Sequence, residues 1–211
     1  MLELKGLKKL FDGISVLNGV DISFQQGTKI GLSGGNGTGK STLLNIATGF
    51  LTPEEGVLIL NGDNITHFEA WKFARLGVKR TFQKVRFNEA LILKEQLYTS
   101  DEIIKRNLDM LKDAGLIDYL YAFPNEVPLP ILRKVEVIRA LLERPRYLFL
   151  DEPSAGMAAT DLHEFGEFLK EHIDADTCLV VVEHRVELMK KIDASIIELR
   201  DGKLDNGNII A

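Results

Sequence analysis

The run Gly34-Gly35-Asn36-Gly37-Thr38-Gly39-Lys40-Ser41 has the residue types and spacing of a phosphate cradle, G-x-x-x-x-G-K-[ST]. Glycines let a backbone wrap with its N–H groups turned inward, where phosphate oxygens accept them. A helix opening at Lys40 adds favourable partial charge for an anion. Lys40 is placed to reach β- and γ-phosphates, and the Ser41 hydroxyl to coordinate Mg²⁺. A merely flexible turn is the competing reading. Four glycines leading into Lys-Ser, between a strand pattern and a helix pattern, argue against it.

Two further runs end in polar residues after an apolar strand. Leu148-Phe149-Leu150-Asp151-Glu152 delivers two carboxylates, one suited to a magnesium water shell and the next to polarising an attacking water. Val180-Val181-Val182-Glu183-His184 delivers a histidine after a strand expected to neighbour the one entering the glycine loop. His184 could there contact a γ-phosphate. Taken singly, a strand-end charge pair and a lone histidine are both ordinary surface features; the glycine loop gives them a shared context.

Positioning these residues requires strands that alternate with helices. Extended patterns cover Leu2 to Leu7 and Val16 to Phe24, and Lys29 to Ser33 is a short run entering the glycine loop. Lys40 to Gly49 is helix-like, Val57 to Leu60 a strand, Glu69 to Leu76 a helix and Val78 to Phe82 a strand. Residues 89–143 read as mostly helical. Glu102 to Ala114 forms one face, and Phe123 to Pro130 is barred from regular helix by Pro124, Pro128 and Pro130. Helix resumes from Ile131 to Glu143. The last third alternates again: strand from Tyr147, helix Thr160 to His172, strand Cys178 to Val182, helix Val186 to Lys191, strand Ser195 to Leu199, then an Asp201-Gly202 turn. Such alternation predicts an α/β fold with a mainly parallel sheet and its ligand at the strand ends.

Composition sets outer limits. The chain has 211 residues, 45% hydrophobic and 27% charged, enough for a substantial core in one domain. Its net charge of −5 argues against nucleic-acid binding through bulk positive charge. The single cysteine, Cys178, allows no internal disulfide and predicts a reducing compartment. Within its apolar run it reads as an inert small hydrophobe. His67, His163 and His172 show no ligand spacing, so no structural metal is expected. No leader or spanning segment is expected either, since the longest apolar stretches are far short of the roughly 20 residues a membrane helix needs.

Together these motifs resemble the nucleotide-binding subunits of ABC transporters over nearly the whole chain. The resemblance implies a P-loop NTPase fold: a mainly parallel core sheet, an N-terminal antiparallel β subdomain and a short α-helical insert, here about residues 86–143 of one domain spanning 1–211. It implies ATP and Mg²⁺ as ligands. Gln83, in Arg80-Thr81-Phe82-Gln83, matches the Q-loop, Glu152 the catalytic glutamate and His184 the switch histidine. Lys40, Gln83, Glu152 and His184 are the catalytic candidates, and Ser41, Gln83 and Asp151 the metal candidates. Nucleotide-binding candidates are Gly34, Gly35, Asn36, Gly37, Thr38, Gly39, Lys40, Ser41 and Thr42, with Val16 and Phe11. Phe11 lies where the family places a ring against adenine, a core phenylalanine being the alternative. Thr48-Gly49-Phe50, Arg80-Thr81-Phe82-Gln83, Glu152-Pro153-Ser154-Ala155-Gly156-Met157 and Val182-Glu183-His184 resemble the branched-chain amino acid and urea importers.

One expected motif is absent. Counting back from Asp151, the family's LSGGQ signature falls on Val127-Pro128-Leu129-Pro130-Ile131, without the serine, the glycines or the glutamine. Pro128 and Pro130 have no N–H to offer a partner's γ-phosphate. The chain is also short for that branch, with few residues after its last expected strand. These features predict an ATPase that is weak in isolation. Its partners would be integral-membrane permease subunits and a second ATP-binding subunit, either another copy or one carrying an intact signature, at the inner face of the cell membrane on the cytoplasmic side. A hydrolysis-poor regulatory or structural subunit is the alternative. Lys72, Arg75, Lys79, Arg80, Lys84 and Arg86 form a basic stretch, read first as a solvated face and second as a permease-docking surface, with Trp71 and Phe73 either joining it or lying in the core.

Overall fold

The structure, a computed structural model, describes residues 1–210, with side chains described through residue 205. β1 (Leu2–Phe11) and β2 (Ile14–Phe24) form a hairpin around Asp12-Gly13, both at positive φ, as a twist-compatible two-residue turn requires. The next elements are β3 (Lys29–Ser33), α1 (Lys40–Ala47), β4 (Glu55–Leu60), β5 (Asp63–Asn64), α2 (Ala70–Arg75) and β6 (Val78–Arg80). Four short helices follow: α3 (Leu93–Gln96), α4 (Asp101–Arg106), α5 (Leu108–Asp113) and α6 (Leu129–Leu141), with 3-10 turns at Ile117–Tyr119 and Pro124–Glu126. The chain then alternates through β7 (Tyr147–Asp151), α7 (Ala159–His172), β8 (Cys178–Val182), α8 (Val186–Lys191), β9 (Ser195–Arg200) and β10 (Lys203–Ile210).

Two sheets result. The antiparallel sheet has the order β2-β1-β4-β5. The larger sheet runs β10-β9-β3-β8-β7-β6, parallel throughout except for β10 at its edge. β7 and β8 are buried at every position, because helices or sheet cover both faces. Side chains alternate across them. Tyr147, Phe149, Cys178, Val180 and Val182 join one core with α1 and the antiparallel sheet, where Phe149 meets Phe24 edge-on at 5.2 Å. Leu148, Leu150, Leu179 and Val181 join a second core with α6, α7, α8 and the helical region.

Most expected elements occur, with specific corrections. The helix expected over Glu102 to Ala114 is two, broken at Asn107, whose side-chain amide donates to the Ile103 carbonyl (2.8 Å) and competes with the helical ladder. The strand expected to reach Phe82 stops at Arg80, beyond which the chain leaves β7. α6 starts two residues before Ile131 and includes Pro130, which a first helical turn tolerates because its missing N–H has no intrahelical partner to lose. β10 follows the Asp201-Gly202 turn as a further strand. Trp71 is exposed while Phe73 is core, so the pair divides. Among the described residues no helix is long and apolar enough to cross a membrane.

Candidate nucleotide site

The glycine loop joins the end of β3 to the start of α1. Gly34 has φ 147°, and a Cβ there would lie 2.4 Å from the Leu199 carbonyl oxygen. Gly39 caps α1 at φ 101°, where a Cβ would lie 2.9 Å from the Val16 carbonyl oxygen. Neither position accepts a side chain without moving backbone. Lys40, 6% exposed, donates from Nζ to the Gly34 and Gly35 carbonyls at 2.9 and 2.8 Å. Burial pulls its pKa below the usual lysine value, while Glu152 and Asp151 act in the opposite sense. Thr38 Oγ1 donates to the Gly35 carbonyl at 3.0 Å and closes the loop.

Three adjacent strands deliver the remaining polar groups. β6, β7 and β8 lie side by side in parallel, so residues beyond their C-terminal ends converge. Glu152 follows β7 with φ +46°, an uncommon conformation for a residue other than glycine. Its Oε2 accepts from Gln83 Nε2 at 2.8 Å, and its Oε1 lies 3.3 Å from His184 Nε2. Glu183, buried beside His184, accepts from the backbone N–H of Ser154 (2.7 Å) and of His184 (3.2 Å), tying the ends of β7 and β8 together. Asp151 Oδ2 pairs with Arg80 at 3.0 Å, whereas its Oδ1 is buried without a hydrogen-bond partner. Burial pushes the Asp151 carboxyl up from its ordinary value; Arg80 opposes that and Glu152 reinforces it.

A cleft of about 410 Å³ is lined by Phe11, Val16, Asn36, Gly37, Gly39, Lys40, Ser41, Thr42, Gln83, Glu152 and His184. Gly34, Gly35 and Thr38 do not line it but hold the loop through the Lys40 and Thr38 hydrogen bonds, and Asp151 does not line it either. Phe11 is 45% exposed at this cleft, so it is not a core phenylalanine.

Residues 17–155 match the family described as ABC transporter. The chain belongs to that family. This ABC subunit is 26% identical to the high-affinity branched-chain amino acid transport ATP-binding protein BraF of Pseudomonas aeruginosa, the match covering 96% of this chain and 89% of that protein. It is 28% identical to LivG of Escherichia coli K12, described in the same terms, over 98% and 91% of the two chains. Among solved structures, a nucleotide-free ATP-binding cassette from an ABC transporter superposes with a TM-score of 0.85, at 25% identity over 97% of this chain and 89% of that one. An ATP-binding cassette in its ADP conformation gives 0.86 at the same identity and coverage. The protein is thus an ABC ATP-binding subunit with the α/β cassette fold, and its enzymatic class is ATPase.

In this ABC subunit the segment that the resemblance aligns with the signature is a helix start in which Pro128 and Pro130 have no N–H to donate. Pro128 caps α6, Pro130 is in its first turn, and the Ile131 and Leu132 N–H groups turn back to the Pro128 carbonyl at 3.0 and 3.2 Å. Leu129, 38% exposed, packs near Gly156, whose added Cβ would lie 2.9 Å from Leu129 Cδ2.

Sequence reasoning missed two arginines. Arg133 of α6 donates to the carbonyls of Phe82 (3.2 Å) and Gln83 (2.7 Å) and pairs with Glu136 at 3.2 Å, so the helical region grips the Gln83 loop. Arg80 stood in the basic stretch read as a solvated face; its side chain is instead 6% exposed and faces Asp151. For Arg80 the available signal was its place within the strand expected from Val78 to Phe82. Elsewhere, His172 Nε2 lies 3.0 Å from Asp113 and near Glu171, two exposed carboxylates beside a half-buried histidine that histidine spacing alone could not bring together.

Proposed function

We propose that this subunit binds Mg-ATP in the Phe11–Lys40–His184 cleft. With a second ATP-binding subunit it hydrolyses the nucleotide to drive import of branched-chain amino acids or related small solutes through a membrane permease. The observation that carries this reading is Glu152 held between Gln83 and His184 at the mouth of the glycine loop. That arrangement supports hydrolysis over a purely structural role. The solute class rests on the names of BraF and LivG.

Each residue has a distinct task. Phe11 offers a ring face to adenine, with Val16 beside it. Backbone N–H groups from Gly35 to Thr42 and the Lys40 ammonium hold the phosphates, Lys40 giving up its loop carbonyls for them. Ser41, Asp151 and Gln83 are the residues that would hold Mg²⁺. The partnerless Asp151 Oδ1 fits this role, because a buried carboxylate oxygen with no donor is otherwise costly. Bound Mg²⁺ supplies charge neutralisation on the phosphates. Glu152 accepts a hydrogen bond from the attacking water and takes its proton as the new bond to the γ-phosphorus forms. The bond to the β–γ bridging oxygen breaks, giving ADP and phosphate. His184 turns from Glu152 toward the γ-phosphate oxygens.

The signature segment supports an unequal pair. A partner bearing an intact signature would complete the site on this chain's glycine loop, while Val127 to Ile131 would complete the partner's site poorly. The permease would dock at a second cleft, about 570 Å³, lined by Phe82, Arg86, Tyr98, Ile103 and Arg139 among others, and would hold the subunit peripherally on the membrane's inner face. Phosphate release by the pure chain, by Glu152→Gln, and by each mixed with the partner subunit tests the reading. Weak turnover alone that rises with partner and vanishes in Glu152→Gln is expected. Brisk turnover by the pure chain that Glu152→Gln abolishes would overturn the need for a partner.

A further inference from the structure

Arg80 has more partners than a surface arginine needs. Its Nη2 pairs with Asp151 Oδ2 at 3.0 Å, Nη1 donates to Asn45 Oδ1 at 2.6 Å, and Nε donates to the Thr81 carbonyl at 3.1 Å. Its guanidinium carbon lies 4.6 Å from the Phe82 ring centroid and 5.3 Å from that of Phe50, and those rings meet edge-on. Asn45 lies on α1 one turn beyond Ser41, so the two side chains share a helix face. The guanidinium therefore bridges the two elements that carry Ser41 and Asp151.

A buried ion pair is a poor stabiliser, since desolvation consumes most of its Coulombic gain. Stability alone does not account for this one. A planar fork, however, fixes direction as well as charge. With Oδ2 held by Arg80, the Asp151 carboxylate cannot rotate freely and Oδ1 is left as its only free oxygen.

We propose that Arg80 is a positioning residue for magnesium. It orients Asp151 and sets its distance from Ser41 through Asn45, and so determines how much Mg²⁺ nucleotide binding requires. The inference rests on the reading of Asp151 as a metal-holding residue. Lysine at this position keeps the charge but cannot span Asp151, Asn45 and the Thr81 carbonyl together.

The test is a Mg²⁺ titration of a fluorescent ATP analogue bound to the full chain, in wild type, Arg80→Lys, Arg80→Met, Asn45→Ala and Asp151→Asn. Affinity in EDTA and thermal unfolding are followed in parallel. Arg80→Lys raises the half-saturating Mg²⁺ about tenfold, in the range of lost outer partners of metal ligands, and Asn45→Ala about threefold. EDTA affinity moves less than about twofold in both, a split that a merely structural role would not produce. A shifted Asp151→Asn beside wild-type Mg²⁺ dependence in Arg80→Lys and Asn45→Ala overturns this inference and leaves the proposed function standing. An unshifted Asp151→Asn overturns the reading of Asp151 itself. Tighter Mg²⁺ binding in Arg80→Met would show that the guanidinium competes with the metal, and would also overturn it. If Arg80→Lys does not fold, Asn45→Ala decides.

Discussion

Glu152 shows how much chemistry rests on one backbone conformation. Its positive φ turns the carboxylate out of β7 toward Gln83 and His184, and its N–H donates to the Val182 carbonyl at 2.9 Å. Glu152→Gln keeps an acceptor oxygen but removes the proton acceptor, so turnover falls about 10²- to 10⁴-fold with nucleotide affinity nearly unchanged. Phosphate release and equilibrium binding on the same preparation check the split. Gly34→Ala meets a different obstacle: its Cβ would lie 2.4 Å from the Leu199 oxygen at an unfavourable φ. The loop must shift, with a loss of about 2 kcal/mol in denaturant unfolding and at least about tenfold in nucleotide affinity. Near-wild-type values for both would refute the close approach.

Two elements make predictions of their own. α6 begins with Pro128 as its cap and Pro130 in its first turn, and the helix stays intact because the N–H that Pro130 lacks is one of those a helix start leaves without an intrahelical partner. Changing Val127 to Leu, Pro128 to Ser, Leu129 to Gly and Pro130 to Gly together restores a hydroxyl and free N–H groups. ATPase activity of the chain without any partner is expected to rise about 10²-fold, the usual worth of a lost oxyanion donor. A flat rate would mean that some other surface limits the pure protein. β8 carries Cys178, fully buried, whose thiol burial pushes up to about 11 against an ordinary 9.0. A raised folded pKa means stability present below pH 9 and lost as pH rises toward 11, because the unfolded chain ionises first. Wild type is therefore expected to lose up to about 2–3 kcal/mol more than Cys178→Ala between those limits. Denaturant unfolding across the range measures the difference. Alkylation of the native thiol at pH 8 should be slow and should accelerate on unfolding.

At the scale of the molecule, the two cores meet along β7 and β8, whose alternate side chains belong to opposite sides. Arg133 crosses from α6 to the Gln83 carbonyl, and Gln83 reaches Glu152, so movement of the helical region is felt at the site. Arg133→Met should lower turnover in the partnered complex about tenfold with little change in the KM for ATP, because it loosens Gln83 rather than the phosphate cradle. A change confined to KM would argue against that path. The partnered complex itself should turn over at least about tenfold faster than this chain alone, since only the partner brings signature donors.

Local sequence was enough for features that depend on neighbouring residues alone. The glycine loop, the continuous runs of β7 and β8, the bounds of β3, β8 and α8, and the missing signature were all legible, because glycine geometry, apolar patterning and proline's absent N–H act locally. The Asp201-Gly202 turn was legible too, but not β10, whose existence depends on the edge that β9 offers. The break at Asn107 turned on one side chain competing for a carbonyl. Whether Phe11 was core or exposed, and whether Arg80 faced solvent or Asp151, depended on which strands lie adjacent. β6 beside β7 carries Arg80 to a carboxylate 71 positions away in the chain, and β8 beside β7 carries His184 to Glu152. Sequence by itself determined which chemical groups this protein has. Only the tertiary structure decided which of them meet, because strand order and burial are set by packing the whole chain rather than by any one segment.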